Sequence, residues 1–341
     1  MQVVDVERKL ERYRRSCRRG TDWMLERINP DGSLGNVTER NYYYRVPWAF
    51  ALMGETEAGH RLLDWADRNR ITPEGALDES ATTAGPQLRY GSYPLACLIY
   101  GASLLGRLDL VRRCTRSLLT WQDPETGGFY ANSHEGVEGD QELFPTAQAA
   151  MTLSLVGRVP EAVRAGRWLQ RLWELQPDPE HRLYAVYRRS QGLVRDYDPQ
   201  EAAFYVTLKD EPWQHHFNGG IAAAGLLHIH EATGEDRWLR LAREYERFSM
   251  STDDIQFRSK QVCKSGWGSG LLYVATREEA YRAWTRGVGD WFVEHQFDDG
   301  HWENTRFWTP KPTLGDKIVI TAEFVMHLAN IIAYLSVSPE P

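Results

Sequence analysis

The chain has 341 residues, of which 42% are hydrophobic and 26% charged, the balance of a soluble globular protein with one large domain or two ordinary ones. Its net charge of -7 speaks against a nucleic-acid partner. The opening residues lack an apolar core of signal-peptide length, no run reaches the roughly 20 apolar residues of a membrane span, and Cys17, Cys97, Cys114 and Cys263 are scattered, so a cytoplasmic protein with reduced thiols is expected.

Two kinds of helix alternate along the chain. The first kind is amphipathic and is predicted near 5–27, 56–70, 107–121, 160–175, 236–249 and 277–296. In the opening helix Leu10, Tyr13, Cys17, Met24 and Ile28 form a buried stripe. Its arginines (Arg8, Arg12, Arg14, Arg15, Arg18, Arg19) read as a solvated face. The second kind is apolar or small nearly all round, near 43–54, 93–106, 145–157, 217–233, 266–275 and 321–335, and such helices are buried. The stretch from Phe217 to Phe248 shows the unit whole: a buried inner helix, a stop at Gly234, and an outer helix with Trp238, Leu241, Ala242, Tyr245 and Phe248 on one side. Gly219, Gly220 and Gly225 each weaken that inner helix by roughly 1 kcal/mol relative to Ala, so close packing or a ligand should compensate.

Six such alternations without a Pro- or Ser-rich linker predict one domain over 1–341, an all-α (α/α)6 toroid. Inner-to-outer turns are short. Outer-to-inner connections are long, about 28–42, 71–92, 122–144, 176–216, 250–265 and 297–320, and long loops in a compact domain are usually functional. They open on the N-termini of the inner helices, which favour negative charge. The longest connection holds LYAVYRRSQGLV and AAFYVTL, which read as β-strands. We expect a small β-hairpin insertion, a lid-like segment over 177–213.

The phrase Gln296-Phe297-Asp298-Asp299-Gly300-His301-Trp302 resembles the Q-x-x-x-G-x-W repeat of squalene–hopene-type terpenoid cyclases. Looser versions run from Trp121 to Phe129 and from Asn29 to Leu34. The resemblance implies the toroid superfamily shared by terpenoid cyclases and protein prenyltransferases, in which this repeat ties neighbouring helices together. The catalytic motifs of those families are not matched. Ser251-Thr252-Asp253-Asp254 lacks the first Asp of the cyclase D-x-D-D motif. Cys263-Lys264-Ser265-Gly266-Trp267 looks like a prenyltransferase zinc-cysteine segment, but Gln261 stands where its Asp is expected, and no metal is predicted. The segment Gly219 to Phe248, with EATGEDRWLRLA, also looks like the hairpins of six-hairpin glycosidases and sugar epimerases.

Polar groups at the long-loop ends of inner helices are the candidate chemistry. His216 and His215 precede the fourth inner helix, and an imidazole there can act as acid or base in its neutral form. Tyr44 opens the first inner helix beside Arg45, with Trp48 one turn on. Arg89 and Tyr93 open the second, and Glu142 precedes the third. Glu323 and His327 are spaced i, i+4 on the last inner helix. Glu323 is either an acid/base of raised pKa or bonded to a neighbour. We take His216, Glu323, Tyr44 and Glu142 as catalytic candidates. Trp48, Arg89, Tyr93, Trp213, His215, Trp267, Arg306 and Trp308 are the candidates for substrate binding.

These readings imply a biosynthetic cyclase or isomerase that acts on a hydrophobic small molecule by acid–base catalysis, without cofactor or metal. Aromatic walls would fold the substrate and stabilise positive charge. The alternatives are a carbohydrate-active glycosidase, lyase or epimerase, and a non-catalytic scaffold. The expected partner is a small molecule, and a homo-oligomer stays open.

Overall fold

The structure, a computed structural model, describes residues 2–36, 42–78, 91–131, 136–252, 256–257, 263–303 and 311–337. Among them, twelve helices build the barrel. The outer ones are α1 (Gln2–Leu25), α3 (Thr56–Asn69), α5 (Leu108–Leu119), α7 (Val159–Glu174), α9 (Asp236–Met250) and α11 (Glu279–Glu294). The inner ones are α2 (Val46–Leu52), α4 (Ser92–Leu104), α6 (Leu143–Leu155), α8 (Phe217–Thr233), α10 (Cys263–Thr276) and α12 (Leu314–Leu335). Each inner helix packs on the next, and α12 returns to α2, so the inner ring is closed. Outer helices α3, α5, α7, α9 and α11 each cover the inner helix that precedes them in sequence, and α1 covers α12. This is the expected (α/α)6 toroid.

Burial follows the two sequence patterns. Every residue of α8 from Phe217 to Leu227 is buried, because both the ring interior and the outer layer want apolar surface. In α9, Trp238, Ala242, Tyr245 and Phe248 are buried while Arg240 and Arg247 face solvent. Each large apolar side chain removed from water stabilises the barrel by about 1.5–3 kcal/mol. The glycines of α8 compensate their weak helix propensity by close packing. A Cβ at Gly225 would stand 2.6 Å from the Ala147 carbonyl oxygen of α6, and one at Gly220 would strike the Lys264 backbone of α10.

One turn recurs where outer helices end. Gly32, Gly127 and Gly300 have φ of +93°, +84° and +104°, and each lies against a backbone carbonyl of another outer helix: Arg61, Arg164 and Arg19. Gly75 does the same against Arg113, in a turn the sequence reading did not single out. A Cβ at Gly300 would come within 2.6 Å of the Arg19 oxygen. Gln296 completes that turn: its amide donates to the Ser16 and Gly300 carbonyls at 2.9 and 2.8 Å and accepts from the Ser16 hydroxyl at 2.8 Å.

Two expectations need correcting. The stretch AAFYVTL is not one strand. Asp198 accepts a hydrogen bond from the Gln200 N–H at 2.9 Å and starts a turn, Ala202–Tyr205 is helical, and only Val206–Leu208 (β5) is extended. Alanines favour the helix. Around it, β1 (Gln141–Glu142) pairs with β3 (Val186–Arg188), β3 with β4 (Gly192–Leu193), and β2 (Arg182–Tyr184) with β5, all antiparallel. The Leu143 N–H donates to the Ala185 carbonyl at 2.9 Å, so this insertion is joined to the front of α6. Second, one helix does reach membrane-spanning length and hydropathy. An 18-residue window of α12 averages a hydropathy of 1.8, and 67% of that window is buried inside the barrel. A core helix covered on both sides meets the same composition test as a membrane span.

Candidate functional site

Six side chains, five from inner helices and one from the residue ahead of α2, touch in a closed circuit inside the ring. Arg45, immediately before α2, donates from Nη2 to the Tyr93 hydroxyl of α4 at 3.2 Å. Tyr93 meets Phe144 of α6 edge-on at 5.1 Å between ring centroids, and Phe144 meets Phe217 of α8 at 5.5 Å. The Lys264 ammonium of α10 sits 4.5 Å over the Phe217 ring and 2.6 Å from Glu323 Oε1 of α12. Glu323 Oε2 lies 2.9 Å from Arg45 Nη1 and closes the circuit. Half of this annulus is aromatic and half is charged.

The inner helices all present their N-terminal ends to the long connections, so three or four residues along each helix is one step, about 5 Å, deeper. One step below the annulus are Trp48, Cys97, Trp267 and His327. Trp48 meets Trp267 at 5.4 Å, Trp267 meets His327 at 4.9 Å, and Trp48 stacks on Tyr100 at 3.9 Å. On the mouth side, Tyr44 stands edge-on to Tyr93 at 6.4 Å, and His215 packs against Phe217 at 4.8 Å. Annulus residues keep 4–8% exposure, from Lys264 to Arg45, whereas Trp48, Trp267 and His327 keep 1–2%. Access to the floor is therefore past the annulus.

The charges decide the protonation states. Burial alone would raise the pKa of Glu323, but the Arg45 and Lys264 cations outweigh it and hold the carboxyl at about 2. Glu323 is thus the bonded carboxylate, not the acid of raised pKa. Burial opposes the Lys264 charge, yet its pKa is raised, because the Glu323 carboxylate at 2.6 Å favours the ammonium. Burial lowers His327 to about 3 despite Glu323 at 3.9 Å from its Nε2. His327 is therefore a neutral imidazole, and neither ring nitrogen has a hydrogen-bond partner among the described residues. Burial lifts both Cys97 and Cys263 thiols to about 12.

Cys263, Glu323 and His327 place potential ligand atoms within 4.8 Å of one another, close enough to share a metal ion. The donor set fits a divalent cation poorly. Lys264 and Arg45 already hold both carboxylate oxygens, so a metal ion would have to displace a cation from Glu323.

The sequence candidates divide. Glu323, Tyr44, Tyr93, Trp48, Trp267 and His215 come together in and around the annulus. His216 is fully buried, but it lies toward the carbonyls of Leu208 and Glu211, and burial lowers its pKa to about 4. No described contact joins it to Glu323. Glu142 is the buried residue before α6, paired in β1 with Val186. Trp213 is half-buried at φ +62° in the turn ahead of α8. Arg89, Arg306 and Trp308 lie outside the described residues. The sequence reading did not single out Lys264, Phe144, Phe217 or Cys97 as candidates, and it used Arg45 only as a neighbour of Tyr44. A signal existed for Lys264, the lone cation in the apolar run of α10.

No family model matches the sequence. No curated protein matches it either. Many solved structures share the fold. A structure of D-mannose isomerase is 13% identical, with a TM-score of 0.67 and 97% of each chain covered. A family 76 glycoside hydrolase, an alpha-mannanase of Bacteroides thetaiotaomicron, is 12% identical with a TM-score of 0.63 over 93% of this chain and 95% of its own. A type II terpene cyclase from Scytonema, MstE, is 14% identical with a TM-score of 0.61 over 96% of this chain and 99% of its own. At these identities the likeness is one of fold. The three neighbours carry three different chemistries on one barrel.

Proposed function

We propose that this chain is a metal-independent isomerase that moves a proton at a carbon next to a carbonyl group. The observation that carries the reading is the placing of a neutral His327, whose ring nitrogens have no hydrogen-bond partner among the described residues, beside a carboxylate, Glu323, that two cations hold ionised. His327 accepts the proton from the carbon, and the electron pair of the broken C–H bond moves toward the carbonyl oxygen. The negative charge that develops there is stabilised by Lys264 and by the Arg45–Tyr93 pair. Glu323, 3.9 Å away, steadies the imidazolium until it returns the proton to the neighbouring carbon, while the substrate's own hydroxyl proton crosses to the former carbonyl oxygen and the new carbonyl forms at the hydroxyl carbon. Glu323 itself stays ionised and fixes the position of both cations.

The same geometry weighs against the rival chemistries. Proton-initiated cyclisation requires a strong carboxylic acid, and Glu323 is a carboxylate. Glycoside hydrolysis requires two carboxyls, one protonated, about 5–10 Å apart. Among the described residues the annulus contains one. The isomerase named among the structural neighbours fits this reading at the level of fold.

The test is proton exchange with solvent. Purified protein is incubated in deuterium oxide with a panel of hydroxy-aldehydes, hydroxy-ketones and hydroxy- and keto-acids, and deuterium incorporation is followed by mass spectrometry. Exchange at the carbon next to the carbonyl is expected, and His327→Asn should slow it by about 100-fold or more. Cleavage of a glycosidic substrate without any exchange would replace the isomerase with a hydrolase.

A further inference from the structure

The annulus is out of electrostatic balance by one charge. Arg45 and Lys264 are cations, and Glu323 is the one anion they share. The flanking thiols and His327 are neutral. No further anionic group contacts either cation among the described residues. A buried charge without a counter-charge is strongly disfavoured in a low-dielectric interior.

Hydrogen-bond donors are in surplus as well. Of the three Lys264 N–H groups, one is matched to Glu323, while the ammonium is otherwise near the Cys263 sulfur at 3.9 Å and the Phe217 ring. Arg45 Nε–H has no acceptor among the described residues, and the same holds for the single N–H of neutral His327. The far side of the annulus, formed by Tyr93, Phe144 and Phe217, is aromatic instead. A ligand that complements both halves is rich in acceptors at one end and apolar at the other.

We infer that the annulus takes substrates bearing a single carboxylate on a flat apolar body, with the carboxylate against Lys264 and Arg45 and the body against Tyr93, Phe144 and Phe217. A monoanion brings the buried charge to zero. A phosphate monoester, as a dianion, overshoots it, and a neutral sugar leaves the imbalance in place. The inference rests on the annulus being the substrate site of the proposed isomerase, and it adds the charge class of what enters.

Three probes of one shape and different charge test it: benzoate, its neutral isostere benzamide, and phenyl phosphate. Their dissociation constants are measured by calorimetry at pH 8, where the phosphate is doubly charged. Benzoate should bind about tenfold or more tighter than either of the others. In Lys264→Met, which leaves Arg45 and Glu323 as a balanced pair, the advantage over benzamide should vanish. Equal binding of benzoate and benzamide overturns the inference, as does tightest binding of phenyl phosphate, or failure of all three at millimolar concentration. The comparison on the unaltered protein stands even where the variant does not fold. Benzoate selectivity without solvent exchange on any substrate would leave this inference standing and remove the isomerase. Exchange on neutral substrates without benzoate selectivity would do the reverse.

Discussion

Glu323 and Glu246 are both buried, on helices that flank α10, and they hold opposite protonation states. Glu323 stands in the ring interior between Arg45 and Lys264, and those cations keep it ionised. Glu246 lies in the seam between α9 and α10. Its Oε1 accepts from the Ser265 hydroxyl at 3.3 Å, Ser265 accepts from Trp284 Nε1 at 2.7 Å, and Oε2 has no partner among the described residues. With no cation paired to it among the described residues, burial raises its pKa well above the usual carboxylate value and favours the neutral acid. Burial is common to the two residues. The partner decides the charge, and of the two it is the partnered one that lies in the ring interior. Gly268 is bound up with the second case, because a Cβ there would strike the Glu246 carboxyl.

The comparison breaks most visibly at Glu323. Glu323→Gln leaves two buried cations facing each other and should lose roughly 3–5 kcal/mol in chemical denaturation. Adding Lys264→Met to it should recover a large part of that loss, because one of the stranded charges is gone. A wild-type denaturation midpoint in Glu323→Gln would mean that the cations are not relying on this carboxylate.

The pH dependence sharpens the contrast because the two residues work in opposite directions. The folded pKa of Glu323 is about 2 against an ordinary 4.5, so its contribution is complete above about pH 4.5 and fades as pH falls toward 2. The folded pKa of Glu246 is raised, so its contribution is complete below 4.5 and is lost as pH rises. Glu246→Gln should therefore stabilise the protein at pH 8 and leave it almost unchanged at pH 4. Urea titrations of variant and parent at pH 4, 6 and 8 measure this. A constant difference across that range would show that Glu246 is not the titrating group.

The smallest effect belongs to a carboxylate that is paired but not buried deeply. Arg158 and Glu161 form an ion pair at the start of α7, with Arg158 well exposed. Arg158→Ala should change stability by less than about 0.5 kcal/mol, and less still at high salt. A loss comparable to that of Glu323→Gln would undo the distinction between buried and exposed pairs.

The barrel was legible because its two helix classes differ in how many faces they bury. A helix such as α8, apolar on every side, announces its own limits, and its expected span of 217–233 is the observed one. The i, i+4 pair Glu323 and His327 was legible for the same local reason, since both lie on one face of a single helix. Tyr44 and Tyr93 were found by their place at helix starts. What periodicity cannot reveal is which helix faces meet. Arg45 and Glu323 are joined only by ring closure, so neither the ion pair nor the lowered pKa could be read from local spacing. His216 shows the converse limit. It is next in sequence to His215, but the chain turns there, so the two imidazoles enter different surroundings.

Closure of the inner ring also sets the order in which a growing chain can complete its barrel. Helix α1 is synthesised ahead of its packing partners α11 and α12, which are the last two helices of the barrel. Until they emerge, Leu10, Tyr13, Cys17 and Met24 have no surface to bury against, and Arg45 has no Glu323. Ribosome-bound fragments that end before α12 would thus display an unsealed seam and no charge cluster, the state that holdase chaperones recognise. A circularly permuted chain in which α12 runs by a short turn into α1 would place every outer helix directly after the inner helix it covers. Such a chain would complete each layer of the barrel as it is made, and its nascent form would need less protection.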